Sequence, residues 1–211
     1  MVDTTFLITA FVTMFVVIDP IGLAPLFVAL TQGMSASARR KIAFRSCGIA
    51  ILLLIMFALL GEAVLEFIGI SMPAFRIAGG ILLFITALDM LFERRTKRRE
   101  DQAEDEDNSD DPSVFPLAIP LIAGPGAIAS VILLTGQRPG AEGLAMVLGV
   151  TAAVVILVML LFLASGLLEK AFGKTGITVV TRLLGMLLAA LSVQFVLDGL
   201  RDFTFVATTG G

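Results

Sequence analysis

Six stretches of this chain are each near or above the ~20 residues that a helix needs to cross the hydrocarbon of a bilayer. They run roughly over Thr5–Leu30, Ile42–Phe67, Pro73–Phe92, Val114–Leu134, Gly143–Leu168 and Ile177–Leu200. With 57% hydrophobic residues and 16% charged ones, the chain has too little polar surface for a soluble domain. The expected class is an all-α membrane protein with six transmembrane helices. The opening "MVDTTFLITA" has neither a basic n-region nor an A-x-A cleavage site and reads as mature protein.

Composition removes much of the chemistry otherwise available. The chain has no histidine, which excludes HExxH metalloproteases, Ser–His hydrolases and His-based phosphatases. One cysteine, Cys47, allows no intrachain disulfide, argues against zinc or haem, and reads as a packed thiol. Tyr and Trp are absent, so an interfacial belt lacks its usual residues. These absences predict a protein that is not an enzyme and carries no cofactor. The expected partners are the lipid bilayer and a small-molecule substrate, with no nucleic acid; a homo-oligomer stays open.

Charge gives direction. Arg39, Arg40 and Lys41 follow the first span, Arg94, Arg95, Lys97, Arg98 and Arg99 follow the third, and Lys170 and Lys174 follow the fifth. The loop "GEAVLEFIGISMP" has no Lys or Arg, and "GQRPGAE" has only Arg138. The positive-inside rule puts the basic loops in the cytoplasm and both termini outside. The acidic stretch "EDQAEDEDNSDDPS" lacks the glycine turn and terminal glutamate of a calcium loop and reads as a solvated linker. It divides the chain into a first three-helix half (1–92), a charged cytoplasmic linker (93–113) and a second three-helix half (114–211).

The halves resemble each other. "IDPIGLAPL" in span 1 falls on "AGPGAIASV" in span 4, setting Asp19-Pro20 on Gly124-Pro125, Gly22 on Ala127 and Pro25 on Ser130. "FRIAGGILLFIT" falls on "TRLLGMLLAALS", pairing Arg76 with Arg182, Gly79 with Gly185 and Thr86 with Ser192. Three spans per copy turn the second copy upside down, so the expected architecture is a 3+3 inverted repeat with helices 1 and 4 broken. Such breaks at matching places point to a transporter's central site.

Pro20 removes a backbone donor and clashes with the preceding turn, so the first span should break near Ile18–Gly22. Asp19 then suits the N-cap of the second half-helix, with Pro20 at its first position. Gly124, Pro125 and Gly126 make the matching break without a carboxylate. Two half-helix N-termini near the midplane favour an anion, while Asp19 suits a substrate ammonium, a coupling cation or a proton. Arg76 and Arg182 sit near their helix starts, where a side chain either snorkels or faces a cavity. Asp89, Gln194 and Asp198 are weaker candidates near helix ends.

"DPIGLAP" in span 1, "GPGAI" in span 4, the length and the charged linker together resemble the MarC family, also called UPF0056 or NAAT, of bacterial and archaeal inner-membrane proteins. The resemblance covers the whole chain. It implies six transmembrane helices, kinship with the LysE-type exporter superfamily and, for some members, transport of neutral amino acids such as glycine and alanine. The residues carried over are Asp19, Pro20, Gly22, Pro25, Gly124, Pro125 and Gly126. The expected function is secondary transport of small neutral amino acids across the inner membrane, with proton or sodium coupling open. The rivals are a channel or exporter for another small solute, an intramembrane aspartyl enzyme pairing Asp19 with Asp89 or Asp198, and a membrane partner without transport.

Overall fold

The computed structural model describes residues 3–94 and 112–209, so most of the acidic linker lies outside the described residues. Helix α1 (Thr4–Ile18) is followed at once by α2 (Pro20–Leu30), then α3 (Ala36–Ile68) and α4 (Met72–Leu91). After an irregular coil over Ser113–Ile122 come α5 (Pro125–Gln137), α6 (Ala141–Leu163) and α7 (Ser165–Thr209). No strand occurs among the described residues.

Short capping signals punctuate the bundle. Asp3 accepts from Phe6 N–H at 3.1 Å to start α1, and Ser35 accepts from Ala38 N–H at 3.2 Å to start α3. Gly69, at φ 83°, closes α3 in the left-handed conformation that an L side chain resists.

Among the described residues, five passes are long and apolar enough to cross a membrane: Thr4–Leu30, Ala36–Ile68, Met72–Leu91, Ala141–Leu163 and Thr175–Phe203. The coil and α5, bent by 52°, make a sixth when taken as one span. The first pass is 56% buried along its most apolar window, against 28–39% for the other four, so it forms the centre of the bundle. Met14, Ile18, Leu23 and Phe27 on it are all buried, as are Leu117, Ile122, Leu133 and Leu134 on the bent pass. Phe27 stacks on Phe162 with ring centroids 4.3 Å apart, fastening α2 to α6.

Two expectations needed correction. The stretch Ser113–Ile122, expected as the first half of a helical span 4, is not a regular helix. Pro116 and Pro120 carry no N–H, and the residue before each is driven to extended backbone: Phe115 at φ −119°, ψ 132° and Ile119 at φ −129°, ψ 126°. Wider bonds replace the usual ladder, from Leu117 N–H to Pro112 O at 3.3 Å and from Ala123 N–H to Ala118 O at 2.9 Å. The loop expected between spans 5 and 6 is also helical. Alpha-helical backbone resumes at Ser165 and turns at Gly173, φ 60° and ψ 172°, which is where the chain realigns for the last pass.

Long-range polar links sit at helix ends and alternate as antiparallel passes require. At one end Arg138 binds Asp3 and Arg76 binds Asp202. At the other Arg182 binds Glu93 at 2.5 Å and Arg39 donates to Ser165 at 3.2 Å. Asp3 and Asp202, near the two termini, therefore share one end. Helices α4 and α7 form the most extensive pair, brought close by small residues: a Cβ on Gly80 would lie 2.8 Å from Ser192 O, and one on Gly199 would lie 3.0 Å from Pro73 O.

Candidate functional site: two helix breaks in contact

The first break falls where proline and aspartate put it. Asp19 adopts φ 58°, ψ 63°, a left-handed conformation that Asp tolerates better than most residues. Its N–H still closes α1, donating to Phe15 O at 2.9 Å, and its carboxylate accepts from Gly22 N–H at 3.1 Å to cap α2. Pro20 begins α2, and since it has no N–H, Val16 O loses its intrahelical donor. Pro25 lies inside α2, which runs on through it to Leu30, so it makes no second break. A Cβ on Gly22 would overlap Asp19 Oδ2, which explains why glycine stands one turn after the aspartate. Asp19 is 1% exposed, while Gly22 is half-buried.

The second break is built differently. Gly124 is the N-cap of α5 at φ −81°, ψ 171°, and no side chain caps this helix. Pro125 stands at its first position, so the next N–H groups, those of Gly126 and Ala127, lie in the turn that an α-helix cannot satisfy internally. A Cβ on Gly124 would overlap the carbonyl oxygen of Pro120, so glycine is the residue that lets the irregular coil fold back onto the start of α5. Pro125 is exposed and Gly126 half-buried.

The breaks meet. A Cβ built on Gly126 would lie 3.1 Å from Val17 Cγ1, 3.6 Å from Leu83 Cδ2 and 3.8 Å from Thr86 Oγ1. The end of α1, the start of α5 and the middle of α4 thus meet in one region. Gly126 makes the contact itself, Asp19 and Pro20 follow shortly after Val17 in the chain, and Gly124 and Pro125 directly precede Gly126; Thr86, which also faces Gly126, donates its hydroxyl to Leu82 O at 2.9 Å.

Arg76 and Arg182 do not join this region. Each pairs at a helix end, Arg76 with a side chain 11% exposed and Arg182 with one 48% exposed. Asp198 takes a bond from Gln194 at 2.8 Å, and Asp89 stands in the last turn of α4.

Thr13 and Ser130 are hydroxyl residues that sequence reasoning did not place among the candidates, Ser130 having entered it only as the counterpart of Pro25 in the repeat. Both are fully buried, and neither hydroxyl has a hydrogen-bond partner. Their signal in the sequence was position: Thr13 stands four residues before Val17, and Ser130 four after Gly126, so each shares a helix face with the contact between the breaks.

The chain matches the family described as "MarC family integral membrane protein" over residues 4–204. It is 38% identical over 199 residues to a UPF0056 membrane protein of Archaeoglobus fulgidus, covering 94% of this chain and 93% of that one. Against the UPF0056 membrane protein YvbG of Bacillus subtilis it is 34% identical over 208 residues, covering 97% and 99%. Against the UPF0056 membrane protein YhcE of Escherichia coli it is 34% identical over 197 residues, covering 90% of each. No solved structure matches. A multi-pass helical bundle with these motifs and this coverage belongs to the MarC family of integral membrane proteins.

Proposed function

We propose that this protein is a secondary transporter of small neutral amino acids, glycine- or alanine-like, in the inner membrane, with both termini on the periplasmic side. The observation that carries the reading is the contact between the two breaks. One presents a buried carboxylate, Asp19, and the other an uncapped helix N-terminus at Gly126 and Ala127. A carboxylate at one break and a helix start without a side-chain cap at the other offer opposite poles, which suits the ammonium and the carboxylate of one amino acid.

The chain is read as a 3+3 inverted repeat. Matched breaks favour this, and so does the reciprocity at the ends of α4 and α7. Arg76 near the start of α4 takes Asp202 at the end of the membrane part of α7, and Arg182 near the start of that part takes Glu93 just after α4. Alternating access then moves one repeat against the other about the site. No reaction and no cofactor is assigned, and the coupling ion is a proton or sodium.

The experiment is uptake of labelled glycine and alanine into proteoliposomes under an imposed proton or sodium gradient, for the wild type and Asp19→Asn. Asn caps a helix and occupies the left-handed region about as well as Asp, so the variant folds while losing the charge. Saturable uptake that falls at least tenfold in Asp19→Asn supports the reading. Non-saturating flux in both favours a channel, and equal uptake in both makes Asp19 a cap alone.

A further inference from the structure

Helix α3 is 33 residues long, ~50 Å at 1.5 Å per residue, so it overreaches a ~30 Å hydrocarbon layer and its ends stand among the headgroups. Four cations, Arg39, Arg40, Lys41 and Arg45, lie in its first ten residues, and they do not all face the same way. Arg39 turns inward, donating to Ser165 Oγ at 3.2 Å and lying over the Phe27 ring, 5.8 Å from its centre. Arg40, Lys41 and Arg45 are exposed. The helix carries no acid before Glu62, near its far end.

The exposed cations head a stripe. Lys41, Arg45, Gly48, Leu52 and Met56 follow one another at spacings of three or four, which sets them on one face of α3, and all are exposed. Past the cations the stripe has a notch. A Cβ on Gly48 would meet nothing within 4 Å, whereas one on Gly61, Gly79 or Gly80 would lie 2.5 Å, 2.7 Å or 2.8 Å from another helix. Those three glycines let helices approach; Gly48 serves no such packing, although glycine is a poor helix former. From Arg45 to Met56 the rise is ~16 Å, close to the ~15 Å of one leaflet's hydrocarbon. The stripe therefore runs from the headgroups to the middle of a bilayer.

We infer that this face of α3 seats one anionic phospholipid. The headgroup lies against Lys41 and Arg45 with Arg40 alongside, and an acyl chain runs over Gly48 toward Leu52 and Met56. The charges select the headgroup, since each basic residue near a membrane surface favours an anionic lipid about fivefold. The notch gives the chain a place on the helix that a side chain would otherwise fill. Gly149 on α6 is open in the same way, but α6 has no Lys or Arg and so lacks the head of such a seat. The seat is independent of what the bundle transports.

The full chain, purified in detergent, is titrated separately with phosphatidylglycerol, phosphatidylcholine and glycerol phosphate, and the intact complexes are weighed by native mass spectrometry. The variants are Lys41→Gln, Gly48→Leu, Arg94→Gln and Gly149→Leu. All four positions are exposed, and neither glycine has a neighbour that a Cβ would strike, so the variants keep the fold. The wild type takes one phosphatidylglycerol roughly tenfold or more tighter than phosphatidylcholine, and glycerol phosphate, which has no acyl chain, does not bind. Lys41→Gln weakens phosphatidylglycerol about fivefold and phosphatidylcholine far less. Gly48→Leu keeps every charge yet weakens both lipids about two- to fivefold, the worth of a few tens of Å² of apolar contact. Arg94→Gln removes one charge at the same end but off the stripe, and Gly149→Leu fills an open glycine without cations; both bind as the wild type does.

Equal affinity of the wild type for the two lipids overturns the seat. Equal losses in Lys41→Gln and Arg94→Gln overturn it too, since that marks a diffuse surface charge. Wild-type binding by Gly48→Leu removes the acyl chain from the notch and with it the seat. Glycerol phosphate bound as tightly as phosphatidylglycerol makes the ligand a free phosphate, and a dimer mass that Gly48→Leu abolishes, with no lipid bound, makes the occupant a second copy of the chain; either result overturns the inference.

Discussion

The two breaks do the same thing to the chain by opposite means. At the first, the protein supplies its own anion: Asp19 bends into the left-handed region and its carboxylate occupies the N-terminus of α2. At the second, α5 begins without a side-chain cap, after a coil that two prolines keep out of the α conformation. The difference teaches that a helix end can be finished by its own sequence or left for something else to finish. Here one of each kind meets across the gap between Val17 and Gly126.

Substituting the glycines at the breaks tests this contrast most severely. Gly124→Ala drives a Cβ into the backbone carbonyl of Pro120, which has nowhere to go, and should destabilise the bundle by about 3 kcal/mol. Gly22→Ala meets first the Asp19 side chain, which can swing away at the loss of one cap, about 1 kcal/mol. Urea unfolding of both variants checks the order; a larger loss in Gly22→Ala would mean that the first break is the stiffer one.

The arginine pairs sharpen the same contrast at the helix ends. Arg76 is mostly buried, and Arg76→Ala gives up packing along its stem as well as its partner, about 2 kcal/mol. Arg182 and Glu93 are each about half exposed, so Arg182→Ala should change stability by no more than about 0.5 kcal/mol. Melting both variants at low and high salt separates the cases: the small Arg182 effect fades with salt, and the Arg76 effect persists.

The smallest effect belongs to Asp3, which caps α1 outside the membrane span. The bond from Phe6 N–H holds its carboxyl below the ordinary 3.8, and Arg138 adds to this. A carboxyl with a lowered folded value contributes stability that is present above 3.8 and drains away as pH falls through that value toward the folded one. Melting curves from pH 6 downward for wild type and Asp3→Asn should therefore be separated slightly at the neutral end and converge in acid.

What the sequence made readable followed from covalent constraint. A proline has no N–H wherever it stands, and an aspartate in an apolar run needs a reason, so the break at Asp19-Pro20 and the Asp19 cap were open to inspection. The same rule applied to Phe115-Pro116 and Ile119-Pro120, yet there the apolar character of the stretch suggested a helical half-span running up to the break at Gly124-Pro125; the prolines won because both neighbours were forced into extended backbone. The polar run around Lys170 and Lys174 looked like a loop, but charge at the end of a membrane helix does not stop backbone hydrogen bonding, and only Gly173 turned the chain. Thr13 and Ser130 were hidden for another reason. A hydroxyl in a helix nearly always satisfies itself, and which ones do not depends on the packing of two helices more than a hundred residues apart.

The pair of Arg76 and Asp202 has a consequence for how the protein is made. The two residues are 126 positions apart, so a ribosome working at about 5–20 residues per second releases the arginine roughly 6 to 25 seconds before its acid exists. During that interval Arg76, near the start of α4, is without the acid that it binds in the finished bundle. The first half of this bundle therefore lacks this fastening to α7 until the final pass has been made.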